Sequence, residues 1–216
     1  RIPGGQRYRL PSHLTVEGDW SSAAFFLCAG AMSREGITVD GLSLPTRQGD
    51  SALLPLLRQM GAEVNLSSGC ITVRKGRLRA TDIDARPIPD LIPPLSVLAA
   101  AAEGGSHIQN ARRLRYKESD RLQGIAELLN SLGGCLTVDG DGLLIHGVSH
   151  LRGGTVDPMG DHRLAMSAAL AALSADAPVT VRDADCVSKS YPAFWADFQS
   201  LKGEAPCPAP SETPSV

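Results

Sequence analysis

The 216 residues predict an α/β fold, a pseudo-threefold domain of repeated βαβαββ units, and two periodicities carry that prediction. Asp19, Asp90 and Asp161 each open an Ala-rich apolar helical stretch, over residues 21–32, 91–102 and 164–173, and both steps between them are 71 residues. A second series of helix starts, at Asp50, Asp120 and Ser190, recurs in two steps of 70 residues. Two independent series with equal periods point to one supersecondary unit repeated three times, each copy burying its apolar face against its neighbours.

Each element has a local reason. Residues 1–15 carry Pro3, Gly4, Gly5, Pro11 and Ser12 and read as a connector from a preceding domain. The repeat domain is expected over 16–203. Leading strands are expected over 14–16, 78–83 and 151–156, ahead of each apolar helix. A strand with alternating or β-branched residues follows each of those helices, at 36–39, 105–108 and 178–181. The second helices are expected over 53–57, 125–129 and 193–198. Gly61 and Gly133 stop the first two of these, glycine being suited to the left-handed residue after a helix. Hairpins then pair 63–66 with 70–73 and 135–138 with 142–146, through Ser67-Ser68-Gly69 and Asp139-Gly140-Asp141. The third copy reaches Leu201-Lys202-Gly203 without a hairpin and is therefore incomplete. The Pro- and Ser-rich stretch 204–216 is expected to be disordered. The apolar helices should lie inside and the sheets face outward.

Composition removes several functions. Lys plus Arg is 21 against Asp plus Glu 23, so no global field favours nucleic acid or an anionic membrane. The apolar runs are too short or too diluted by Ala and Gly for a membrane span. Five cysteines without a Cys-x-x-Cys pair read as reduced thiols of a cytoplasmic protein. His13, His107, His146 and His150 share no spacing with acids or cysteines, so no metal site is expected. The glycine pairs lack the strand–loop–helix setting of a nucleotide loop. The chain opens on Arg1 without a Met, which reads as a piece of something longer.

Charge is concentrated instead in Leu114-Arg115-Tyr116-Lys117-Glu118-Ser119-Asp120-Arg121-Leu122. Leu122, Ile125, Leu128, Leu129 and Leu132 follow at helical spacing, so a helix is expected to begin near Glu118, with Ser119 and Asp120 in its first turn. Lys117 and Arg121, four apart, would then share one face. Such a face is either a solvated salt-bridge surface or a site for phosphate or carboxylate. Cations also stand at the helix starts of His162-Arg163 and Lys189, whereas Asp19 and Asp50 read as plain caps. Asp90 is open between an N-cap and a functional acid. If the repeat holds, Arg121, Arg163 and Lys189 meet at one edge of the domain. Left unpaired there, they would repel at roughly 1 kcal/mol per pair 4 Å apart in water, a cost that ligand anions offset.

Four stretches together carry a family resemblance: the charged run 114–122, Ile88-Pro89-Asp90, Asp161-His162-Arg163-Leu164-Ala165-Met166, and Lys189-Ser190-Tyr191-Pro192. In this order, and over about residues 3–203, the chain resembles the C-terminal half of the enolpyruvylshikimate-phosphate synthase family, the 3-phosphoshikimate 1-carboxyvinyltransferases. The resemblance implies an inverse α/β barrel-like domain and a second such domain, with the site in the cleft between them and the N-terminus of the full chain crossing over to complete this domain. It implies a monomer when complete and a reaction of the shikimate pathway for aromatic amino acids. The enolpyruvyl group of phosphoenolpyruvate passes to the 5-hydroxyl of 3-phosphoshikimate and phosphate leaves, with no metal or organic cofactor. By motif, Arg121, Arg163, Lys189 and His162 would hold phosphoenolpyruvate. Lys117, Asp90 and Arg113 would contact 3-phosphoshikimate, with Asp90 as base and Glu118 moving a proton at the methylene carbon. Arg113 stands where the family often has Asn. The family's N-terminal Lys, Ser and Arg, its Gly-rich loop and its Ser-Ser-Gln site have no counterpart here, so the chain alone is expected to be inactive. Two alternatives stay open. A domain like the UDP-N-acetylglucosamine enolpyruvyl transferases is disfavoured by His162 and Lys117, because that group typically has Leu at the former position and lacks Lys-Glu-Ser-Asp-Arg. The other is a non-catalytic anion-binding domain.

Overall fold

The computed structural model describes residues 1–67 and 69–201. In chain order the first segment has helix α1 (Trp20–Met32), strand β1 (Ile37–Val39), a 3₁₀ turn (Gly49–Ala52) running into α2 (Leu53–Gln59), and a hairpin of β2 (Glu63–Ser67) and β3 (Cys70–Arg74). The second has β4 (Ile83–Asp84), a 3₁₀ turn (Pro89–Leu91) into α3 (Ile92–Ala100), β5 (Gly105–Gln109), a 3₁₀ helix (Arg112–Tyr116), α4 (Arg121–Ser131), β6 (Cys135–Asp139) and β7 (Gly142–His146). The third has β8 (Gly154–Val156), α5 (His162–Ala171), β9 (Val179–Val181), a 3₁₀ helix (Ala184–Lys189) and α6 (Phe194–Ser200).

The fold is α/β with mixed sheets. Their orders are β1-β3-β2, β4-β5-β7-β6 and β8-β9, with β4–β5 and β8–β9 parallel and the other pairs antiparallel. Helices α1, α3 and α5 pack on one another at the centre. Every residue of α3 is buried, as are most of α1 and α5. Apolar side chains all round a helix require burial on every side, and the Ala content of these three lets their axes approach. Helix α4 buries only one face, through Leu122, Ile125, Leu128 and Leu129. Gly30 lets α1 sit directly on β3: a Cβ there would stand 2.6 Å from the Val73 carbonyl oxygen.

Several expectations need correction. The leading strand over 14–16 does not form; Leu14 and Val16 stay 64% and 83% exposed, and a short strand without a buried face gains too little to order. The strand expected over 78–83 is reduced to a bridge between Arg79 and Glu103 and to β4, because the Thr81 N–H donates to the Ser106 hydroxyl instead of a ladder carbonyl. The helix expected near Glu118 begins at Arg121, since Lys117 is extended and Asp120 is the cap, accepting from the Gln123 N–H. The last helix begins at Phe194 instead of near Ser190, because the residue before Pro192 is pushed out of helical geometry. Cys28, Cys135 and Cys186 are free thiols, but Cys70 is disulfide-bonded, against the expectation of reduced thiols throughout. Cys207 and the stretch 204–216 lie outside the described residues. Among the described residues no helix is long and apolar enough to cross a membrane.

Candidate substrate site

Arg121, the first residue of α4, is the hub of a charged cluster at the starts of α3, α4 and α5. Its side chain is 1% exposed. Nε donates to Asp161 Oδ2 at 2.7 Å, Nη1 to Asp90 Oδ1 at 2.9 Å, and Nη2 makes a short bond to Glu118 Oε2. Asp161 is fully buried and does two tasks: Oδ1 caps α5 through the Arg163 N–H at 2.9 Å, and Oδ2 takes Arg121 and the Ser119 hydroxyl. Asp90 is free for the site because α3 opens without a side-chain cap, Pro93 and Pro94 occupying the turn that a cap would otherwise serve.

The other cations close around the same acids. Lys117 Nζ donates to Asp90 Oδ1 at 3.1 Å. Arg163 Nε lies 3.6 Å from that oxygen, and Lys189 Nζ donates to Glu118 Oε1 at 3.3 Å. Arg121, Arg163 and Lys189 thus meet, as the sequence suggested, and Asp90, Lys117 and Glu118 stand among them. They do not meet as unpaired cations: four positive groups interleave with Asp90, Glu118 and Asp161. Mutual repulsion is therefore largely cancelled within the fold, and little field is left over to attract an anion at long range.

The electrostatics follow from this arrangement. Burial, the largest influence on Asp90, pushes its carboxyl up, but Arg163, Lys117 and Arg121 together hold it below the usual carboxylate value. Glu118 behaves alike: burial raises it, while a backbone hydrogen bond, Arg121 and Lys189 outweigh that and leave it lowered. Burial and the Arg163 charge both depress His162. His162 is thus a neutral imidazole at neutral pH and not a further cation, with Nδ1 buried and without a hydrogen-bond partner among the described residues.

Arg113 is placed differently. It stands exposed in the 3₁₀ helix where Leu114 takes the buried position, and no hydrogen bond or ion pair joins it to Lys117 or Asp90. It lines a groove of about 550 Å³ with Arg86, His107 and Arg112, apart from the cluster. Asp50 corrects a second expectation. It is not a cap: among the described residues its side chain accepts no backbone N–H at the Gly49–Ala52 turn, and its Oδ2 accepts the Ser21 hydroxyl beside Arg163 instead. Asp161 was missed as a partner of Arg121, and Ser119 as a partner of Asp161. The equal spacing of Asp19, Asp90 and Asp161 was the available signal, but Asp19 and Asp161 read from it as caps and Asp90 stayed open. Among the described residues no group of His, Cys, Asp and Glu could hold a metal ion.

The fold is thus an α/β domain that gathers paired cations and acids at the starts of α3, α4 and α5. Comparison with known proteins names the family: the model described as EPSP synthase (3-phosphoshikimate 1-carboxyvinyltransferase) matches residues 1–198, and the chain belongs to that family. It is 42% identical over 203 residues to a 3-phosphoshikimate 1-carboxyvinyltransferase of Clostridium kluyveri, covering 94% of this chain and 47% of that protein. It is 46% identical over 203 residues to the protein of the same name from Methanocella arvoryzae, covering 93% and 47%. The solved EPSP synthase of Acinetobacter baumannii superposes with a TM-score of 0.76 at 30% identity, over 87% of this chain and 46% of that one. The chain therefore spans about half the length of the relatives it matches.

Proposed function

We propose that this chain supplies one half of the active site of a 3-phosphoshikimate 1-carboxyvinyltransferase. The second half comes from a domain absent here, on the same or another chain. The observation that carries the proposal is the Arg121 hub, because it joins three separate family motifs, at Asp90, at 117–121 and at Asp161, in one hydrogen-bonded cluster. In this reading Arg121, Arg163 and Lys189 hold the carboxylate and phosphate of phosphoenolpyruvate, with His162 packed beside them as a neutral group. Lys117 and Asp90 face 3-phosphoshikimate. Arg113 joins them only if its side chain swings out of its groove. The assembled enzyme is a cytoplasmic monomer without a cofactor.

The charges suit the chemistry. Asp90 is ionised at neutral pH and so can accept the proton of the attacking hydroxyl. Glu118 is ionised too, because Arg121 and Lys189 hold it so. Once those cations turn to the anions of phosphoenolpyruvate, burial prevails and Glu118 takes a proton from solvent, gives it to the methylene carbon as the hydroxyl adds, and takes a proton back from the resulting methyl group as phosphate leaves. Arg121 has five N–H donors, and its three carboxylate partners leave two for substrate.

The pseudo-threefold architecture belongs to the same proposal. The strand after each inner helix holds the same place in all three sheets: β1 and β5 pair antiparallel with the second hairpin strand, while β5 and β9 pair parallel with the leading strand. This supports three copies of one unit, the first without its leading strand and the third without its hairpin among the described residues.

Lys189 is 58% exposed whereas Arg163 and Arg121 are 12% and 1% exposed, so phosphoenolpyruvate meets Lys189 first and Arg163 next. The test is a thermal-shift titration with phosphoenolpyruvate. Wild type should gain stability weakly and lose the gain in high salt. Arg163→Ala and Lys189→Ala should gain less. Equal shifts in all three proteins would remove these residues from the site.

A further inference from the structure

Asp50 stands outside the Arg121 hub yet is tied to it through Ser21. The Ser21 hydroxyl donates to Asp50 Oδ2. The Ser21 carbonyl oxygen accepts from Arg163 Nη1 at 3.5 Å, and the same Nη1 lies 3.5 Å from the Asp90 carbonyl oxygen. One serine at the start of α1 thus links Asp50 to the Arg163–Asp90 pair. No backbone N–H bonds to the Asp50 side chain among the described residues, so helix capping does not account for it.

We propose, resting on the reading of the site above, that Asp50 is a positioning residue. Anchored by the Ser21 hydroxyl, whose own residue's carbonyl takes Arg163, its carboxylate sets a second negative charge near the Arg163–Asp90 pair without an ion pair of its own to Arg163, and so keeps Asp90 available as a base instead of locked to its cations.

The two acids are driven in opposite directions, an arrangement that separates acid from base roles in active sites. Burial, the largest influence, pushes Asp50 above the ordinary value of 3.8; Asp90 and Asp19 add to this, while the Ser21 hydrogen bond and Arg163 oppose it. Asp90 lies below that value. Repulsion between two carboxylates is mutual, so the charge that Asp90 places on Asp50 is returned, and an ionised Asp50 makes Asp90 bind its proton more tightly. An ionised Asp50 also weakens the positive field at Arg163. The structure therefore balances anion affinity against basicity, and Asp50 sets the balance.

Asp50→Asn keeps an oxygen for Ser21 and removes only the charge. The carboxyl carbons of the chain, labelled and followed by NMR, should show Asp90 titrating at lower pH in Asp50→Asn than in wild type. Asp50→Glu should restore the wild-type titration. Ser21→Ala, which releases Asp50 from its anchor, should move Asp90 in the same direction as Asp50→Asn. Phosphoenolpyruvate should bind Asp50→Asn about fivefold more tightly, the factor one nearby charge supplies in water. The titration needs no substrate, so failure of the phosphoenolpyruvate reading would leave its result intact. An Asp90 titration unchanged by Asp50→Asn overturns the proposal, whatever the substrate proves to be.

Discussion

Arg121 holds three carboxylates with one guanidinium, and Asp161 among them has no access to water. Removing the cation leaves Asp161 a buried charge without a countercharge, held by the Ser119 hydroxyl and the Arg163 N–H, which costs about 3–5 kcal/mol. Arg121→Ala should therefore lose stability of that order in urea denaturation as well as function; it is not a substitution confined to the site. Arg121→Lys should recover only part, because a point charge cannot replace a planar fork that reaches Asp161, Asp90 and Glu118 together. The acids respond to pH with opposite signs. Asp90 and Glu118 bind protons less readily in the folded chain, so the stability they add is complete above their ordinary values of 3.8 and 4.5 and is lost as pH falls through their lowered values. Asp50 binds protons more readily when folded, so its contribution is present below 3.8 and is lost as pH rises through its raised value. Denaturation of Asp50→Asn beside wild type should show a stability gain that is small in acid and largest at neutral pH. A gain independent of pH would contradict this.

At the scale of elements, the inner helices were legible because a helix apolar all round has only one place to go. Their Asp starts repeat at equal spacing, and Asp19 and Asp161 cap as expected. The segment 117–120 was not legible. Its residues suit a first helical turn, yet Lys117 is extended, Ser119 reaches Asp161 and Asp120 is the cap. Those choices are made by a buried carboxylate 42 residues away, which no local pattern reports. The leading strand over 14–16 failed for a related reason, since its pattern was right and its covering was missing. Gly30 tests the helix–sheet contact. Ala is the better helix former, but its Cβ would press on the Val73 carbonyl, which cannot yield without moving β3. Gly30→Ala should destabilise by about 1–3 kcal/mol despite the gain in propensity. A variant as stable as wild type would show that α1 and β3 are less closely seated.

For the molecule as a whole, the family membership and the half-length match explain why the cluster looks self-satisfied. Three acids offset most of the charge of the four cations when nothing else is bound, and Arg121 is covered by Asp90 and Glu118. In the proposed function, the anionic substrates need donors from a facing surface to draw these groups apart. The most direct measurement mixes this chain with the N-terminal half of a related 3-phosphoshikimate 1-carboxyvinyltransferase and follows phosphate release from phosphoenolpyruvate and 3-phosphoshikimate. The account predicts no turnover by either half alone and turnover by the mixture, abolished by Asp90→Asn. Turnover by this chain alone, or an active mixture indifferent to Asp90→Asn, would contradict it.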